Sequence, residues 1–413
     1  MNRKYYIKAL TLLLSFFLSM SLFGCNNMVQ SPLSDNNGGA KKWENLQTEV
    51  DQATDGDTID LTSYVWQTSY SPAYEIIVPE GLSLKMLGRQ MYDIRNISFL
   101  FMGSNSVVIE DLVLTNWLHE SELGSPPLSV LHFLHGENYL ELVGNSEITM
   151  LSSIDKLGCG AAIGVPEGVS LTIEGSGSIS VYCGGGGGAG IGGGYKASSG
   201  SITISGGLLE VRGGVAYAYQ TPPTQQKGSA AIGGGYGADG GVIIINGGKV
   251  AAKGGCGGAG IGGGYGGAGG AITINGGFVE AYSDEGGAGI GGGYGGAGGS
   301  ITLVGGEVEA YSTQIDDSPF IYVEIPGPGP AIGDGYGGTG GSLSMSGGSL
   351  TAIGSGYPSH TAINCTIQLL PDWYTWRAGT LEALSTQSDW VLDSSESTFN
   401  NSKSFSFVQI AAY

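Results

Sequence analysis

Three glutamates occupy one position of a repeated segment: Glu210 in LLEVR, Glu280 in FVEAY and Glu309 in EVEAY, with Arg212 and Lys253 sharing another position of the same segment. Carboxylates stacked on neighbouring strands about 4.8 Å apart raise one another's pKa, and two acids on one face are what glycoside hydrolysis requires. A position that recurs unit after unit is also where a sheet places solvated, outward side chains, and that is the reading adopted for this column. Of the four histidines, His132 and His135 lie close together in LHFLH but complete no metal-ligand set, so neither a metal nor a cofactor is expected. The stretch GAGIGG has the G-x-G-x-x-G spacing of a dinucleotide loop. It recurs in every unit, however, and lacks the strand–helix context and the following acid. Calcium-binding turns also join Gly-Gly to aspartate, but here the comparable positions hold only Asp239 and Asp334.

Aromatic residues carry the more suggestive pattern. Tyr195, Tyr236, Tyr265, Tyr294 and Tyr336 follow IGGG or its variant IGDG, and Tyr282 and Tyr311 repeat within FVEAY and EVEAY. Such columns serve either as stacking ladders between strands or as platforms on which the apolar faces of sugar rings lie.

Columns of this kind need a repeat to hold them. GGAGIGGGYGGAGGAITINGGFVEAYSDE, residues 257–285, is followed directly by GGAGIGGGYGGAGGSITLVGGEVEAYSTQ, residues 286–314. Taking the isoleucine before glycine as a marker gives Ile163, Ile191, Ile232, Ile261, Ile290, Ile332 and Ile363, spaced 28, 41, 29, 29, 42 and 31 residues apart. The unit is therefore about 29 residues, and a fixed period of this size is the signature of a solenoid. Within a unit the apolar residues alternate with period two, as in half-buried strands. Inward columns run Ile202/Ile243/Ile272/Ile301/Leu343, Ile204/Ile245/Ile274/Leu303/Met345, Leu209/Val250/Val279/Val308/Leu350 and Val211/Ala252/Ala281/Ala310/Ala352, with Thr203/Ile244/Thr273/Thr302/Ser344 facing out. Three short strands per unit, AGIGG, AITI and FVEAY, make a triangular rung that can bury its inner face only by stacking on its neighbours.

Of the 78 glycines, 67 lie between residues 151 and 356 without a G-X-Y period, which excludes collagen and assigns them to turns and close backbone approaches. INGG and SGG also read as hairpin turns, but a 29-residue unit is short for a propeller blade. The expected fold is all-β, a right-handed parallel β-helix.

The front of the chain agrees. WENLQTEVDQATDGDTIDL puts Trp43, Leu46, Val50 and Ala53 on one face of a short helix, and IIVPEGLSLKMLG and SVVIEDLVLTNW follow. This succession resembles the opening of the pectate-lyase-like superfamily of right-handed parallel β-helices, in which the helix plugs the end of the solenoid. The AGIGGG repeats resemble those of bacterial cell-surface proteins, some adhesin-like or carbohydrate-binding, and LLPDWYTWRAGTLEA with SKSFSFVQI looks like the module that closes them. The resemblance implies the fold and leaves function open, because such helices host enzymes and binders alike. Lyases and hydrolases of the fold use clustered carboxylates with an Arg or Lys base or a second acid.

The N-terminus carries an address. Residues 1–24 combine Arg3, Lys4 and Lys8 with an apolar run, as a signal peptide does, and Leu22-Phe23-Gly24-Cys25 resembles a lipobox with Cys25 as the lipidated residue. Residues 25–40, with Pro32 and DNNGGA, read as a flexible tether. Then come an N-terminal cap with first rungs over 41–156, the glycine-rich rungs over 157–366 and a C-terminal capping module over 367–413. Loss of the three signal cations takes the net charge from −20 to −23. With no basic stripe, nucleic acid is excluded as a partner and a grip on strongly anionic polysaccharide is disfavoured. Cys159, Cys183, Cys256 and Cys365 sit at different repeat phases, so buried thiols are expected rather than a disulfide ladder.

Two units carry insertions at one corner, VAYAYQTPPTQQKG and TQIDDSPFIYVEIPGPGP. They stand three rungs apart, about 14 Å. One wall would carry Tyr217 and Tyr219, the other Asp316, Asp317, Phe320 and Tyr322, over a floor from KGGCGG and SDEGG with Asp284 and Glu285. Loops on a rigid scaffold are where function is grafted, so this groove is the principal candidate site and the tyrosine column the second. The expected protein is a non-catalytic, lipid-anchored envelope β-helix, exposed outside the cytoplasm and holding polysaccharide or a host or matrix surface. A polysaccharide lyase or glycosidase is the first alternative, a structural envelope protein the second.

Overall fold

The computed structural model describes residues 41, 45–64, 74–89, 94–95, 97–118, 129–152, 158–217, 226–313, 329–354, 361–369, 374–379 and 407–412. The 1–24 signal segment, the whole tether with Cys25, and Tyr219, Asp316, Asp317, Phe320 and Tyr322 lie outside them.

Alternation dictates the architecture. Among the described residues, three long sheets run side by side, two of 11 strands and one of 10. Successive strands of the chain visit the sheets in turn, so each strand pairs with its copy one rung away. The columns read from the sequence are the observed registers: Ile202 pairs with Ile243, Ile243 with Ile272, Ile272 with Ile301 and Ile301 with Leu343, all parallel. Their side chains are at most 1 % exposed and form one continuous core with the Val/Ala columns of the neighbouring sheet. A hairpin-based propeller is thereby ruled out. Among the described residues, the one hairpin that interrupts the repeats, Val215–Tyr217 with Gln226–Gly228, belongs to the first insertion.

The three faces differ because their outward residues differ. On the 10-stranded sheet the strands from Ile163–Gly164 to Ile332–Gly333 shrink to Ile-Gly pairs with both residues buried. At Gly262, φ is +133° and a Cβ would lie 2.0 Å from the Gly291 carbonyl oxygen. The same holds at Gly192, Gly233 and Gly291, so only glycine lets the corners close this tightly. The face beginning at Asp57–Asp60 presents Ser, Thr, Ala and aliphatic residues from Ser201 to Thr366. The third face, which includes Phe278–Asp284 and Glu307–Thr313, carries the Glu, Lys, Arg and Tyr columns.

Among the described residues, capping elements stand at both ends. Helix α1, Leu46–Gln52, buries Leu46 and Val50 against the first rung, as its apolar spacing requires. At the other end Phe407–Ala412 pairs antiparallel with Ser349–Ile353 and takes Tyr374–Gly379 as its outer neighbour, ending the parallel run on that face. A reversed strand halts further in-register stacking, the protection an exposed sheet edge needs.

Candidate functional site

The five repeated tyrosines form one ladder. Ring centroids are 5.3 Å apart from Tyr195 to Tyr236, 6.0 Å to Tyr265, 4.9 Å to Tyr294 and 5.7 Å to Tyr336, with interplanar angles of 14°, 32°, 15° and 19°. Faces in this arrangement cover one another. A ligand alongside the ladder meets ring edges and phenol hydroxyls, whereas the sequence reading had offered it ring faces. Burial, and then the neighbouring Tyr294 and Tyr236, push the Tyr265 phenol upward, so it remains a hydroxyl donor.

The ladder and the insertion corner, treated separately in the sequence, are one place. Each tyrosine N–H donates to the corner that opens the rung before it: Tyr265 to the Gly228 carbonyl at 2.9 Å, Tyr294 to Gly257 at 2.7 Å and Tyr336 to Gly286 at 2.7 Å. Gly228 ends the first insertion, and Gly257 and Gly286 belong to the two floor segments. Lys227, one residue before Gly228, holds its ammonium 5.8 Å from the Tyr236 ring and 5.2 Å from the Tyr265 ring. Of the wall and floor residues, Tyr217 lies on the insertion hairpin, Asp284 ends the strand Phe278–Asp284, and Glu285 turns into Gly286 with φ +55°.

Lys196 was missed. In four rungs the residue after the ladder tyrosine is Gly237, Gly266, Gly295 or Gly337, with φ from +76° to +83°. In the remaining rung it is Lys196, at φ +58°, its ammonium 5.3 Å from the Tyr195 ring. A left-handed backbone costs a non-glycine residue about 1–2 kcal/mol, and an exposed cation–π contact returns about 0.5–1 kcal/mol. The stacking alone does not offset the backbone term. The signal was visible in the sequence as the lysine in GGGYKA where its counterparts read GGGYG.

On the third face the glutamate column is present as read, Glu210 to Ala251 to Glu280 to Glu309, but its solvation is not uniform. Glu280 is 6 % exposed, a correction to the solvated position expected of it. Burial above all, and the stacked Glu309, push its carboxyl upward; Lys249, 3.9 Å away, and the Tyr282 hydroxyl oppose them. Tyr311 donates to Glu309 at 2.5 Å and Tyr282 to Glu280 at 3.4 Å, with the two rings stacked 4.7 Å apart. Burial raises both phenols, and the adjacent carboxylates add to it.

The remaining groups do structural work. Asp334 accepts N–H bonds from Gly298 and Gly341 at 2.5 and 2.7 Å, and Asp239 accepts one from Ala268 at 2.7 Å, so both turn aspartates are spent on backbone donors. Burial holds the His132 imidazole below its ordinary range, and no three His, Cys, Asp or Glu residues cluster as metal ligands among the described residues. The Cys183 thiol is pushed up by burial and by Cys159 nearby, and that of Cys365 to about 12. Such thiols are inert as nucleophiles.

A family model described as a beta helix repeat matches residues 243–265 and 272–294. Both segments begin on an inward isoleucine and end on a ladder tyrosine. No curated protein and no solved structure matched the chain. The matched repeats and the three parallel sheets lead to one conclusion: the chain is a right-handed parallel β-helix.

Proposed function

We propose that this β-helix is a non-catalytic, lipid-anchored protein of the cell envelope that holds a carbohydrate chain in a lane running along its axis, formed by the tyrosine ladder and the insertion corner. The observation that carries the reading is Lys227, which ties the first insertion to the rings of Tyr236 and Tyr265 and so joins two candidate regions into one surface. A row of phenol edges at rung spacing suits the hydroxyls of a sugar chain, since a phenol hydroxyl both donates and accepts. Export and anchoring are argued from the apolar N-terminal run and from Cys25.

The test is retention of the mature protein on a panel of insoluble polysaccharides. Tyr265→Ala and Tyr294→Ala should each weaken binding by about 1–3 kcal/mol if their edges are anchors. Replacing residues 313–326 by the short turn of the neighbouring rung should abolish it while leaving the solenoid folded. Full retention by all three variants would remove the lane from consideration.

A second reading has one observation in its favour: Glu280 is buried with its carboxyl pushed upward while Glu309, one rung on, accepts a hydrogen bond from the Tyr311 hydroxyl. Paired carboxyls whose environments separate them are how glycosidases assign acid and base. Release of reducing ends by the wild type, lost in Glu280→Gln, would favour hydrolysis over binding.

A further inference from the structure

The described cations are unevenly spent. Among the described residues the ion pairs are Lys41–Glu49, Lys85–Glu110, Arg212–Glu210 and Lys249–Glu280. Lys196 and Lys227 are in none of them. Both instead stand over ladder rings, Lys196 at Tyr195 and Lys227 between Tyr236 and Tyr265, so two ammoniums bracket Tyr236. In a chain with 36 acidic residues against 16 Lys and Arg, this end of the ladder is a local inversion of charge.

The backbone supplies a second, independent observation. Lys196 occupies a left-handed position that the other four rungs give to glycine. Backbone strain that a smaller residue would relieve collects at functional sites, where the side chain is what is being kept. What is kept here is an ammonium beside the first ring of the ladder.

We infer that the Tyr195–Tyr265 end of the lane is an anion subsite, with Lys196 and Lys227 as its binding residues, and that the ligand is a mostly neutral glycan carrying scattered acidic sugars. One carboxylate sits between the two ammoniums, where charge-assisted hydrogen bonds are strongest, and the neighbouring phenol hydroxyls complete its donors. Scattered charge is specified by the rest of the molecule. A net charge of −20 repels a uniform polyanion. The lane therefore has a direction, with the acidic sugar at its Tyr195 end. This inference rests on the glycan lane proposed above.

Glucuronoxylan, whose acidic sugars are spaced along a neutral backbone, and the same polymer after carboxyl reduction provide the test, with the full chain at low and high salt. Wild type should bind the acidic form severalfold more tightly at low salt, with the difference collapsing at high salt. Lys196→Gly and Lys227→Gln should each lower that ratio, and the double variant should bring it to about one. Lys85→Gln, on another face, should keep it. Lys196→Gly takes the residue of the other rungs, so its melting curve checks that the solenoid is intact. A wild-type ratio of one with both forms bound, and both lost in Tyr265→Ala, would overturn the anion subsite and leave the lane standing. A double variant with the wild-type ratio, or tighter binding to polygalacturonate than to glucuronoxylan, would also overturn it. Binding to neither form would remove the lane and the subsite together.

Discussion

At the scale of single residues, Glu280 shows how a repeat misleads. Its column is a surface column by register, and Glu210 and Glu309 are partly exposed there, yet Glu280 is buried. Its carboxyl is raised in the folded state, chiefly by burial, so the native protein holds that proton more tightly than the unfolded chain does. The stability tied to it is present below the ordinary glutamate pKa and is lost as pH rises through the folded value. Glu280→Gln should therefore raise the melting temperature at neutral pH and bring little change near pH 4. A neutral-pH loss would mean that the Lys249 contact outweighs the cost of burying the carboxylate. Neither this burial nor the strain at Lys196 follows from the period, since both depend on what lies beside a column. The period specifies only what lies above and below.

At the scale of the strand, most of the fold was legible. Alternation gave the inward columns residue by residue because a parallel in-register stack has no other way to bury an isoleucine in every rung. Ile272→Asp should cost about 3–5 kcal/mol by leaving an unpaired charge in the core, and Thr273→Asp, one residue on and facing out, less than about 1 kcal/mol. Equal shifts in denaturant midpoint would contradict the alternation. Glycine allows a finer contrast. Gly262→Ala forces a Cβ into the Gly291 carbonyl and should cost about 4 kcal/mol or more, whereas Gly266→Ala meets open space and bears only its φ of +83°, about 1–2 kcal/mol. What alternation does not encode is the distance between one corner and the next turn. The merging of ladder and insertion, through the Tyr265 N–H and the Gly228 carbonyl, was for that reason invisible, as was the antiparallel direction of the closing strands.

At the scale of the molecule, the proposed lane goes with a proposed anchor at Cys25. Cys25→Ala should release the protein into the aqueous fraction or leave an unprocessed precursor, and normal processing with membrane partitioning would exclude lipidation there. The stacking itself has a mechanical consequence. Strands lie across the axis, so tension applied between the two ends loads one rung at a time and peels it from its neighbour; it does not shear all the ladders together. Each unit of about 29 residues would pay out roughly 100 Å of chain, at up to about 3.3–3.6 Å per residue. Extension in an optical trap should proceed in near-equal steps of that length, with a longer step wherever an insertion is released. A solenoid so built is stiff across its axis and yields gradually when drawn out from one end, acting as a spring with a defined step.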